Sequence, residues 1–231
     1  MATRPVFIPS FDPDQLVRTS TVEFTWYAGM AASQRKKSAA SLHEAAKKQG
    51  LCIRPLEVST KSVDVLGSEL SAFNLTVETE KHNRSFTVET AFQSSKVFEF
   101  GGPYEDLLFG SSLAAKKDPR IKNSGELIRF KFFGEEWQLE PKTAFYDWLY
   151  LNALVKNSWA VEHLDDFDAF TDIEFNPQKS INCQAYSVAL FQSLRKRNIL
   201  HTALKNKESF LRILSDHDAL PERPQKQGSL F

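Results

Sequence analysis

The chain has 231 residues, 42% of them hydrophobic, which is enough apolar side chain for one full core. Basic and acidic residues number 29 each, so the net charge is zero, and this argues against proteins that coat DNA through long-range attraction. Cys52 and Cys183 are far apart, which argues against a disulfide scaffold or a structural zinc site. No window approaches the roughly 18 apolar residues of a membrane span. We expect a cytoplasmic globular domain.

Hydrophobic periodicity in the first half predicts short strands and one long helix. Val22, Phe24 and Trp26 alternate with polar residues, as in a half-buried strand. A run of good helix formers that ends at Gly50 predicts a basic amphipathic helix. In chain order the expected elements are a strand at 22–26, a helix at 34–49, strands at 53–58 and 70–75, and a helical region within 84–98.

The second half is expected to be mainly helical. A period-two pattern closed by Gly134 predicts a strand at 127–133, and an aromatic stripe predicts a core helix at 143–155. Two further helices are expected at 184–197 and 203–214, followed by a polar tail at 221–231. We therefore predict one α+β domain at 1–220, rich in helices and with small antiparallel strands.

Charge is neutral in sum but segregated along the chain. Residues 116–131 hold six basic and two acidic side chains, whereas residues 162–174 hold six acidic side chains and no Lys or Arg. Solvated faces that balance each other are one interpretation, and a compact phosphate pocket is the other.

Residues 86–96 carry the most informative polar pattern. Glu89, Gln93 and Lys96 recur at i, i+4 and i+7, which places them on one face of a helix. A carboxyl group there can move protons, and a desolvated amine can attack a carbonyl-like carbon. The alternative is an ordinary polar stripe that faces solvent.

Several segments in the same order resemble the NADAR (YbiA-like) family. Residues 67–74 resemble its Leu-Ser-Asn-Phe motif, and residues 86–96 resemble its aromatic-x-x-Glu-x-x-x-Gln-x-x-Lys helix. Residues 114–120 resemble Ala-Lys-x-x-Gly-Arg with Pro119 at the usual Gly, and 172–185 resemble the family's ending with Phe175 at the usual Trp. The resemblance is strongest over 67–195, with the basic helix at about 33–50 as an insertion.

Two further segments are similar to one branch of that family. Residues 92–99 and 145–150 resemble DarG-type NADAR antitoxins, which are paired with DNA ADP-ribosylating toxins of the DarT type. This resemblance implies hydrolysis of the N-glycosidic bond between ADP-ribose and guanine, in DNA or a nucleotide, with a DarT-type toxin as a partner. No metal or cofactor is implied. Lys96 would capture the ribose carbon as an imine while Glu89 moves protons.

The resemblance also suggests substrate-binding residues, each with a structural alternative. Lys116 and Arg120 would bind the pyrophosphate, although surface cations are common. The other candidates are aromatic rings that would stack on bases and amides that would bind substrate: Phe73 and Phe175, and Asn74, Gln93 and Asn182. An isolated Phe is more often a core residue, and a loop Asn more often bonds its own backbone.

Two other functions stay open from the sequence. One is an N-glycosidase that acts on phosphorylated riboflavin-pathway intermediates, as other NADAR members do. The other is a module that binds ADP-ribose or the toxin without turnover, which the substitutions within 172–182 make conceivable.

Overall fold

The strands form three small sheets. The structure is a computed structural model that describes residues 1–29, 31–79 and 84–217. Its strands are β1 (Ala2–Pro9), β2 (Val17–Phe24), β3 (Pro55–Glu57), β4 (Thr76–Thr79), β5 (Arg84–Thr87), β6 (Lys96–Phe98), β7 (Leu127–Phe132), β8 (Glu135–Trp137) and β9 (Ala169–Thr171).

Helices cover the sheets and supply most of the core. They are α1 (Ala32–Lys48), α2 (Val65–Glu69), α3 (Val88–Ser94), α4 (Ser112–Lys117), α5 (Pro119–Asn123), α6 (Ala144–Leu154), α7 (Ser158–His163), α8 (Gln184–Lys196), α9 (Leu200–Ala203) and α10 (Lys207–Asp216). No helix in the described part of the chain is long and apolar enough to cross a membrane.

The largest sheet separates two hydrophobic cores. Its strand order is β2-β1-β9-β3, with β1 antiparallel to β2 and β9 parallel to β3. Val6 faces the smaller core under α1, and the next residue, Phe7, faces the main core under α8. Successive side chains of a strand point to opposite faces, so one strand serves both cores.

Helix α6 lies at the centre of the main core. It is buried nearly all round and packs against α3, α8 and α10. Phe145 stacks on Phe130 of β7, with ring centroids 4.7 Å apart. Aromatic packing of this kind fixes α3 and the β6-β7-β8 sheet against one helix, and the candidate site lies where α3 meets β6.

Much of the predicted secondary structure is confirmed. The strands predicted at 22–26, 53–58 and 127–133 correspond to β2, β3 and β7, and the helices at 34–49, 143–155 and 184–197 correspond to α1, α6 and α8. The α+β class is confirmed. The expected polar tail at 221–231 lies outside the described residues.

Three predicted elements were wrong. The strand at 70–75 is a series of tight turns after α2, with Leu75 N bonded to Ser71 O, and the turns themselves bury Leu70 and Leu75. The region 84–98 is not one helix but β5, α3 and β6 in succession. The helix at 203–214 is two helices, because Asn206 caps a new start by accepting from Ser209 N. Strand β1 was not predicted, because its sequence, with prolines at 5 and 9, does not alternate regularly between polar and apolar residues.

Candidate functional site

The short helix α3 carries two of the three polar residues picked out by spacing. Thr87 and Thr90 form a reciprocal capping box that starts the helix. The helix ends at Ser94, because the Ser95 carbonyl already accepts from Lys131 N of the neighbouring strand. Lys96 therefore lies in β6, and the expectation that it shares the helix face with Glu89 was wrong, although the two residues remain neighbours.

Glu89 is a buried carboxylate with two polar neighbours. Its side chain is 8% exposed, accepts a hydrogen bond from Gln93 Nε2 at 3.0 Å, and lies 4.0 Å from Lys116 Nζ. The i, i+4 spacing expected from the sequence produces the contact with Gln93. A carboxyl group held in this way is oriented by its partners, as proton transfer to or from a substrate requires.

Lys96 is a partly buried amine with a lowered pKa. Its Nζ lies 4.7 Å from the centre of the Phe92 ring. The pKa of Lys96 is lowered to about 8, mainly by burial; the negative charge of Glu89 opposes this change, and the positive charge of Lys116 contributes to it. With that pKa about one amine in ten is neutral at pH 7. A neutral amine is a nucleophile, so Lys96 has the property that imine chemistry requires.

Ser112, the first residue of α4, joins the parts of the site. Its hydroxyl lies 2.8 Å from Thr87 Oγ1 and donates to the Phe73 carbonyl at 3.0 Å. One turn further along α4, Lys116 lies over the Phe73 ring, 4.9 Å from its centre. These bonds bring Phe73 and Lys116, two predicted binding residues, to the same place as Glu89.

Arg120 lies in a different electrostatic setting from Lys116. Its guanidinium bonds to both carboxylate oxygens of Asp106 and of Asp118, which uses four of its five N–H donors, and it stacks on Tyr104. A phosphate at Arg120 has to compete with two carboxylates. The geometry therefore favours Lys116 over Arg120 as the pyrophosphate contact.

The remaining predicted residues are buried in the core or hydrogen-bond with the nearby backbone. Phe175 is 6% exposed and packs on Phe7 in the main core, so the core alternative replaces its expected role as a stacking platform. Asn74 Nδ2 donates to the Ser68 carbonyl at 2.9 Å, which is the loop role weighed against ribose binding. Asn182 is partly buried, and its carbonyl accepts from Ser180 Oγ.

Gly102 and Tyr146 belong to the site and were not identified from the sequence. A Cβ on Gly102 would lie 2.2 Å from the Lys96 carbonyl oxygen, so only glycine fits against that strand. Tyr146 of α6 packs edge-on against Phe92, with ring centroids 5.2 Å apart. The Tyr146–Phe92 contact is long-range and leaves no local pattern, whereas Gly102 lies only six residues after Lys96, where two adjacent glycines indicate no more than a turn.

A second pair of carboxyl groups, Glu57 and Asp172, lies at the ends of the parallel strands β3 and β9. Burial, followed by mutual repulsion, raises the pKa of Glu57, and burial raises the pKa of Asp172. Glu57 accepts from Ser59, Thr171 and Ile173 N. Over the described residues, no three His, Cys, Asp or Glu side chains are grouped as a metal site.

The fold is α+β, and the chain matches a family model of the NADAR class. More particularly, the chain matches the family model described as DarT1-associated NADAR antitoxin over residues 2–224, and it belongs to that family. No curated protein matches the chain.

Proposed function

We propose that the protein is an ADP-ribosyl glycohydrolase that removes ADP-ribose from guanine bases in DNA and so reverses the modification made by a DarT-type toxin. Membership of an antitoxin family associated with DarT1 supports the biological role. The observation that carries the chemistry is the partly buried Lys96 amine, with its pKa lowered to about 8, within the electrostatic influence of the Glu89 carboxyl group.

In the proposed reaction, the bond between C1 of the ribose and the guanine nitrogen is replaced by a bond between C1 and the Lys96 nitrogen. The ring C1–O bond of the ribose breaks as the Glu89 carboxyl group delivers a proton to the ring oxygen, and the resulting Glu89 carboxylate takes a proton from the guanine amino group to leave a C1=N imine. The neutral Lys96 amine adds to C1, and the guanine amine departs as Glu89 returns a proton to it. Water then hydrolyses the Lys96 imine, which frees the amine and an aldehyde that closes to ADP-ribose.

The binding residues are proposed on the same geometry. Lys116 is the charged group that lies over Phe73, beside Glu89, and we assign it to the pyrophosphate. Phe73 offers a partly buried ring for stacking, and Gln93 orients Glu89. Arg120 and Asn182 remain secondary candidates for substrate binding.

Mass spectrometry of DNA that carries ADP-ribosylated guanine tests the proposal. The wild-type protein should release free ADP-ribose and restore unmodified guanine, and borohydride added during turnover should attach an ADP-ribosyl mass to it. Lys96→Ala and Lys96→Arg should do neither, whereas Lys131→Ala, which removes an exposed lysine of the adjacent strand, should behave as wild type. Full activity in Lys96→Ala would refute the mechanism. Binding of the modified DNA without release of ADP-ribose would indicate a binding module without turnover. Activity only on riboflavin precursors would indicate the N-glycosidase of riboflavin-pathway intermediates.

A further inference from the structure

Two tyrosines one turn apart on α6 differ in how their hydroxyl groups are used. Tyr150 is fully buried and donates its hydroxyl to the Leu70 carbonyl. Tyr146 is 6% exposed, and among the described residues its hydroxyl has no hydrogen-bond partner. The hydroxyl of a buried tyrosine is normally hydrogen-bonded, so an unpaired one calls for an explanation.

The small exposed part of Tyr146 includes its hydroxyl oxygen. The side-chain atoms that are both enclosed and unpartnered in the described chain are Arg4 Nε, Gln93 Oε1 and Gln192 Oε1. The Tyr146 oxygen is unpartnered but is not one of these enclosed atoms, so it reaches a surface open to water or a ligand.

Tyr146 shares two neighbours with Lys96. The Tyr146 ring meets Phe92 edge-on, and the ammonium group of Lys96 lies over the ring of the same Phe92. Glu89, one turn before Phe92 on α3, is the charged group with the largest effect on the pKa of Tyr146, and it also acts on the pKa of Lys96. Phe92 therefore joins Tyr146 to Lys96, and both side chains lie within the electrostatic influence of Glu89.

The surroundings keep the phenol neutral. Burial raises the pKa of Tyr146 well above 10, and four neighbouring groups raise it further: Glu89 of α3, Tyr150 of α6, Asp172 just after β9 and Cys183 just before α8. A phenolate beside two carboxyl groups is disfavoured, so the hydroxyl retains its hydrogen and acts as a donor.

We propose that the Tyr146 hydroxyl is a substrate-binding donor of this site, which hydrogen-bonds an oxygen of the ribose held between Glu89 and Lys96. The proposal rests on the proposed function, because the ribose is there only if its C1 is the reacting carbon. A fixed neutral donor stabilises the negative charge that grows on the ring oxygen as the C1–O bond breaks, and it need not release its proton.

The test compares Tyr146→Phe with the matched control Tyr150→Phe. Tyr146→Phe should leave the Tm unchanged, because its hydroxyl bonds no described protein group, and should lower kcat/KM for release of ADP-ribose by about tenfold or more. Tyr150→Phe should lower the Tm, through loss of its bond to Leu70, and keep wild-type kcat/KM well below that Tm.

Binding of two probes provides a second readout that a structural role would not change. Tyr146→Phe should weaken binding of ADP-ribose and leave binding of ADP, which lacks the second ribose, unchanged. Equal kcat/KM and equal ADP-ribose affinity in Tyr146→Phe and wild type would overturn the Tyr146 proposal alone. A Tm loss in Tyr146→Phe as large as in Tyr150→Phe would also overturn it. A wild-type protein that neither binds nor releases ADP-ribose overturns the proposed function and this proposal with it.

Discussion

At the scale of single residues, the protonation state of Lys96 should set the pH dependence of the reaction. The neutral amine is the reactive form, and burial lowers the pKa of Lys96 to about 8. The single-turnover rate should therefore rise about tenfold per pH unit below pH 8 and level off above it. Rapid-quench measurements from about pH 6 to pH 9.5 check this. A plateau that begins only near the ordinary lysine pKa would contradict the role of burial.

Glu89 is the residue on which proton transfer should depend. Glu89→Gln keeps the size of the side chain but removes the transferable proton, so turnover should fall about a hundred- to ten-thousand-fold while ADP-ribose still binds. Glu126→Gln, at an exposed position, is the matched control. Product release at the wild-type rate by Glu89→Gln would move the acid-base role elsewhere, and Glu99 and Asp172 would be the next residues to replace.

At the scale of elements, the turn after β6 should hold Lys96 in place. Gly102 and Gly134 both have φ of +85°, so alanine at either position should cost about 1–2 kcal/mol of backbone strain. Only at Gly102 does the added Cβ meet Lys96, at 2.2 Å from its carbonyl oxygen, whereas nothing lies within 4 Å at Gly134. Gly102→Ala should therefore lose turnover as well as stability, and Gly134→Ala stability alone. Equal activities, measured well below both Tm values, would contradict this.

The parallel strands β3 and β9 should make stability depend on pH. Glu57 and Asp172 have raised pKa values, so between about pH 6.5 and pH 8 the folded state retains protons that the unfolded state has released. The free energy of unfolding should therefore fall as the pH rises through this window. Urea unfolding at several pH values should show a smaller fall for Glu57→Gln. A Gln variant with the wild-type slope would show that Glu57 does not titrate there.

At the scale of the whole molecule, the zero net charge should restrict DNA recognition to the modified base and the few phosphates beside it. The net charge is zero, and within the basic segment 116–131 both arginines are already paired, Arg120 with Asp106 and Asp118 and Arg129 with Glu136. Binding of modified DNA by Lys96→Ala should then weaken only shallowly with salt, as expected for about one or two phosphate contacts. Fluorescence anisotropy with short and long modified oligonucleotides checks this. A steep dependence of affinity on salt that increases with oligonucleotide length would indicate that the basic segment 116–131 contacts the DNA backbone.

Local periodicity accounts for the part of the fold and site that could be predicted. The i, i+4 spacing of Glu89 and Gln93 gives their hydrogen bond, and the aromatic stripe of 143–155 gives the buried helix α6. These features are properties of neighbouring residues, so the sequence expresses them directly. Helical spacing predicts Lys96 on the same helix face as Glu89, which is wrong. The spacing contains no information on the hydrogen bond from Lys131 N to the Ser95 carbonyl, at which the helix ends.

The sequence by itself determined the α+β class, the elements with a strong period, the neutral charge and the residue types of the candidate site. Only the tertiary structure decided which of those residues meet and in what state. It decided the lowered pKa of Lys96, the pairing of Arg120, the burial of Phe175 and the open hydroxyl of Tyr146. The reason is physical: desolvation and the choice of hydrogen-bond partners depend on segments far apart in the chain, which the pattern of one segment does not encode.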